Sequence, residues 1–118
     1  GAGHHVTALY ELVPTETAAA DVGGFVVRVR YQEPSSGIAG ELMQPASAPR
    51  ATLAAASDDF RFASAVAGFG MVLRASPERG LATIASVRAL AAGALADDAR
   101  RGEFVALVDA AGKLGGAD

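Results

Sequence analysis

Two pairs of adjacent acids, Asp58-Asp59 and Asp97-Asp98, and one pair of histidines, His4-His5, are the side chains of this chain best suited by type to chemistry. Paired carboxylates serve acid–base catalysis or hold calcium, and histidines ligate zinc. The positions argue against both uses. Each acid pair falls where a helix is expected to start, and there capping and the helix dipole already favour negative charge. Neighbouring residues of an extended segment point to opposite sides, so His4 and His5 do not converge on one ion. Zinc sites need three or four ligands, and this chain has two histidines and no cysteine. Gly1-x-Gly3 lacks the third glycine of a dinucleotide fingerprint, since Val6 stands in its place and a strand rather than a helix is expected to follow. There is no Gly-x-Ser-x-Gly elbow, and no serine has a histidine arranged to activate it. The expectation is a non-catalytic domain with no cofactor and no metal.

Two weaker groupings remain. Arg28, Arg30 and Arg50 form a candidate basic patch for an anion, although two outward arginines on a strand also make a solvated face that discourages edge pairing. Tyr10, Tyr31 and Phe62 are the candidate lining of a groove between sheet and helices, which would make the chain a small-molecule or peptide-binding domain.

The elements that would position these residues change period near Ala56. Val6 to Val13 is short, carries β-branched and aromatic residues and stops at Pro14, which predicts a first strand, although its pattern is mixed. Phe25, Val27, Val29 and Tyr31 then alternate strictly with Val26, Arg28, Arg30 and Gln32. That alternation predicts a strand with the first set against a core and the arginines toward water. Glu33-Pro34-Ser35-Ser36-Gly37 has turn chemistry, with glycine accepting a positive φ, and leads to a third strand near Ile38 to Met43. Pro45 and Pro49 frame an irregular crossing to the helical half.

Ser57 is the expected N-cap of a first helix that Ser76-Pro77 ends, with Phe62, Val66, Phe69 and Leu73 at helical spacing and Phe60, Ala63, Ala67 and Gly70 beside them. Gly68 and Gly70 inside this helix each cost about 1 kcal/mol relative to alanine, and close approach of another backbone is the simplest compensation. A second helix is expected from Thr83 to Leu95, with Ile84, Val87, Leu90, Ala91 and Ala94 inward. A third is expected from about Asp98 to Leu114, with Phe104, Leu107, Val108 and Ala111 inward, and Gly115-Gly116 ends the order. The fold class is therefore α+β: a small antiparallel sheet of about three strands followed by a three-helix half packed on it. Residues 1–118 are read as one domain, with a β half over 1–56, a helical half over 57–114 and a disordered tail over 115–118.

The 118 residues suffice for one core, burying roughly two-thirds of the unfolded chain's surface. Ten basic residues against thirteen acidic ones give a net charge of −3, so no summed field draws in a phosphate backbone and nucleic acid is disfavoured. No apolar run approaches the roughly eighteen residues a membrane span needs, so no membrane contact is expected of this segment.

Two stretches carry a resemblance. Gly1-Ala2-Gly3-His4 leads into Val6-Thr7-Ala8-Leu9-Tyr10-Glu11, and Asp59-Phe60-Arg61-Phe62-Ala63 leads into Phe69-Gly70-Met71-Val72-Leu73-Arg74. Arg30-Tyr31-Gln32-Glu33-Pro34, Ser76-Pro77 and Glu103-Phe104-Val105-Ala106-Leu107-Val108 follow in the matching order. Together they resemble the C-terminal region of bacterial proteins of the YfbK type, which carry a von Willebrand factor type A domain ahead of this segment. The sequence departs from the pattern at His5, at Gly68 and in a shortened hairpin around Ser35 to Met43. The preceding domain of such proteins holds its ion with an Asp-x-Ser-x-Ser motif, which does not occur here. The resemblance implies an accessory module at the tail of a larger protein, packing against or completing the von Willebrand domain and supporting protein–protein interaction. It also implies a cell-envelope or exported location. An unpaired sheet edge would further allow a homodimer.

Overall fold

The computed structural model describes residues 6–12, 25–46 and 52–115. The chain falls into two compact units, Gly1–Arg50 and Ala51–Asp118, and each is described by itself.

In the first unit, β1 (Phe25–Gln32) and β2 (Ala39–Ala46) form a two-stranded antiparallel sheet, with Val29 opposite Leu42 and Arg30 opposite Glu41. The turn is as its residues demand. Gly37 takes a φ of +68°, its N–H donates to the Glu33 carbonyl at 2.8 Å, and the Glu33 N–H donates to the Ile38 carbonyl at 2.9 Å. β2 extends past the expected Met43 and contains Pro45, a residue expected to frame an irregular crossing. The ladder explains this. Glu33 and Ile38 are a hydrogen-bonded pair, bonded and non-bonded pairs alternate, and counting along the register makes Pro45 and Val26 a non-bonded pair. The proline nitrogen, which has no hydrogen to give, therefore points away from β1.

The expected first strand does not form: residues 6–12 lie outside any strand and are exposed, and Val13 and Pro49 fall outside the described residues. Leu9 sits on the polar parity of that segment with Thr7 and Glu11, so its alternation is weaker than that of β1. The described sheet accordingly has two strands rather than about three.

The second unit opens with a short 3-10 turn (Leu53–Ala55) and three helices follow: α1 (Asp58–Leu73), α2 (Ile84–Ala92) and α3 (Ala99–Gly115). Gly115, expected in the tail, closes α3. The caps are local and match their residues. The Ser57 hydroxyl accepts the Phe60 N–H at 3.3 Å, and Asp58 and Asp59 occupy the first turn of α1. Thr83 and Ser86 form a reciprocal capping box on α2. α1 ends in a Schellman pattern, Ser76 N–H to the Met71 carbonyl and Ala75 N–H to that of Val72, with Ala75 at a φ of 49° where glycine is usual.

The core is Ala65 and Phe69 of α1, Val87 and Ala91 of α2, and Val108 of α3, with Phe62, Ile84, Leu90, Phe104, Val105 and Ala111 packed around it. Small residues on α1 and α2 let these helices approach closely: a Cβ at Gly68 would lie 3.2 Å from Val87 Cγ2. Side chains rather than another backbone are thus what Gly68 admits, and Gly70 has nothing within 4 Å. The buried face of α1 differs from the expected one, because Val66 and Leu73 are exposed. Leu107, expected inward on α3, is also exposed. At the surface, Arg88 of α2 pairs with Asp109 of α3. The Arg88 hydrogen bond, more than its charge, holds the Asp109 carboxyl below the ordinary carboxylate range.

Two outcomes follow from this packing. Val108→Ala is expected to lower the unfolding free energy by about 2 kcal/mol, and Leu107→Ala by no more than about 0.5 kcal/mol, in urea melts followed by helical circular dichroism. For Asp109, a depressed folded pKa means stabilisation that is complete above the unfolded value of about 3.9 and is lost as pH falls through the folded value. Urea midpoints measured from pH 6 downward should therefore fall more steeply for the natural protein than for Asp109→Asn once the pH drops below about 5, with the difference shrinking in 1 M salt.

Candidate functional site

The strict alternation of β1 sorts its side chains into two rows. Val26, Arg28, Arg30 and Gln32 share one face with Met43 and Glu41. Arg30 Nε donates to Glu41 Oε2 at 2.9 Å across the ladder. Arg28 stands opposite Met43 and makes no ion pair among the described residues. Arg50, the third member of the expected basic patch, lies outside the described residues, as do His4 and His5.

The other row is apolar: Phe25, Val27, Val29 and Tyr31, joined by Leu42 of β2. Alternation predicts these four β1 residues against a core. In the described structure they stay open, from 39% exposed at Phe25 to 52% at Tyr31, with Leu42 at 58%. Two strands supply no second layer, and a two-stranded hairpin is at best marginally stable in water without one. With each of these side chains about half exposed, covering one would add about 0.7–1.5 kcal/mol, roughly half of the full burial value. The row is partly organised by its own contacts. The Tyr31 ring lies over Gly40 so closely that a Cβ there would sit 2.6 Å from Cζ, an aromatic covering a strand glycine.

Of the three residues expected to line a groove, Tyr10 and Tyr31 belong to the first unit and Phe62 to the second. Tyr10 is exposed in residues 6–12, which form no strand. Phe62 is engaged within its own unit. Its ring meets Phe104 edge-on with centroids 5.3 Å apart, and the Arg101 guanidinium lies 4.9 Å from its centroid.

Three of the four paired acids have partners. Asp58 pairs with Arg61, Asp59 pairs with Arg101, and Asp98 accepts the Arg100 N–H at 2.9 Å at the start of α3. Arg101 was not singled out by sequence, yet besides Asp59 and the Phe62 ring it reaches the Ala94 carbonyl at 2.8 Å, an acceptor just past the end of α2. Its partners are 7 and 42 residues away, so no local spacing signals the role. Arg61 keeps a buried Nε without an acceptor. No group of three or more His, Cys, Asp or Glu able to hold a metal occurs among the described residues.

Comparison with curated proteins and with solved structures gives no match. The family described as "Uncharacterized protein YfbK, C-terminal" matches residues 1–114, nearly the whole chain and both of its compact units. The chain therefore belongs to the family of YfbK-type C-terminal domains.

Proposed function

We propose that this chain is a non-catalytic accessory domain that packs against a von Willebrand factor type A domain and supports protein–protein interaction. The observation that carries the reading is the open apolar row of Phe25, Val27, Val29, Tyr31 and Leu42. A strand face built with strict alternation is built to be covered, and aromatic and aliphatic side chains in a row are what a protein partner buries best. The von Willebrand domain as that partner is supported by the likeness to YfbK-type proteins. The same likeness supports a place at the cell envelope. Asp58, Asp59, Asp98 and Asp109 are engaged in caps and ion pairs, which supports contact rather than turnover at these carboxylates.

Titrating the isotope-labelled chain with an isolated von Willebrand factor type A domain of a YfbK-type protein tests this. Amide shifts are expected along Phe25, Val27, Val29 and Tyr31, and Val29→Asp should weaken the complex by about tenfold or more. Shifts confined to the helical unit, or none at millimolar partner, would refute the reading.

A further inference from the structure

The hairpin has two outer edges, and they are not equivalent. Because Pro45 belongs to a non-bonded pair, its nitrogen faces the outer edge of β2 and gives that edge no donor there. The outer edge of β1 has no such gap. By the same alternation, the N–H and C=O groups of Val26, Arg28, Arg30 and Gln32 all point outward.

Residues 6–12 match that edge. Val6, Ala8, Tyr10 and Leu12 fall on one parity, and Thr7, Leu9 and Glu11 on the other. Laid antiparallel along β1 with Glu11 opposite Arg28, the segment sets Leu12 opposite Val27, Tyr10 opposite Val29 and Ala8 opposite Tyr31. This extends the apolar row while Glu11 meets the arginine that lacks an ionic partner among the described residues. A one-residue slip would put Tyr10 and Leu12 on the charged face. Within a single chain the segment forms no strand, and Tyr10 is 81% exposed.

We infer that two copies of this chain associate by reciprocal strand exchange, residues 6–12 of each copy adding to the outer edge of β1 of the other. Edge and segment are both present in every copy, so a two-fold arrangement satisfies both at once and closes as a dimer. The occupant is this chain itself, and the contact is independent of the von Willebrand domain proposed above.

The test is sedimentation equilibrium of the chain alone over micromolar to millimolar concentration, joined to hydrogen exchange at both ends of that range. A concentration-dependent dimer is expected, in which the amides of Val26, Arg28, Arg30 and Gln32 are protected only when dimeric. Glu11→Arg and Arg28→Glu should each weaken the dimer about tenfold, since two like-charge pairs are created per dimer, and the doubly reversed variant should recover most of the loss. Both side chains are exposed, and circular dichroism of the helical unit reports folding of each variant. A monomer throughout, protection of the same four amides in the dilute monomer, or a dimer indifferent to both charge reversals would each overturn the inference.

Discussion

Phe104 lies edge-on to both Phe62 and Phe69, at centroid distances of 5.3 and 5.5 Å, and this contact ties the last helix to the first across the helical unit. α2 packs against both, its small Ala91 fully buried and its Val87 seated against Gly68. Close approach of this kind lets three short helices exclude water with few large side chains. Among the described residues Val108 is the largest side chain that is completely buried. Arg101, largely buried, works to the same end, joining the start of α3 to Asp59, to the Phe62 ring and to the Ala94 carbonyl after α2.

The hairpin lacks such an interior. Its cross-strand bonds, its Arg30–Glu41 pair and its four-residue turn set the register, but they bury little. Exposed ion pairs contribute about 0–1 kcal/mol, whereas a covered row of five large apolar side chains would contribute several times that. The apolar row is thus a larger reservoir of unrealised stabilisation than anything the hairpin already uses. That imbalance makes the hairpin, rather than the acid pairs, the candidate for function.

Much of the fold is legible in the sequence because its signals are local. Ser57 and the turn ending at Gly37 each act over three or four residues, and each appears where its chemistry puts it. What fails is whatever needs a partner distant in sequence. α1 is apolar around most of its circumference, so periodicity alone does not say that Ala65 and Gly68 face the core while Val66 and Leu73 do not. Val6 to Leu12 carries strand-forming residues, but composition does not say whether the segment pairs with an edge. Pro45 reads as a breaker until the ladder shows which way its nitrogen points. For the candidate site, the row from Phe25 to Tyr31 and the outward arginines are readable from alternation, whereas the Glu41 partner depends on register. Arg101 depends on a contact spanning 42 residues.

Amide hydrogen exchange of the isolated chain at low micromolar concentration tests most directly the claim that, among the described residues, full burial lies in the helical unit and is withheld from the hairpin. The amides of Phe69, Val87, Ala91 and Val108 are predicted to exchange slowest, near the limit set by global unfolding. Those of Val27, Val29 and Tyr31 are predicted to exchange at least about a hundredfold faster. Equal protection of the two sets would contradict the account, because it would require the apolar row of β1 to be covered in the chain on its own.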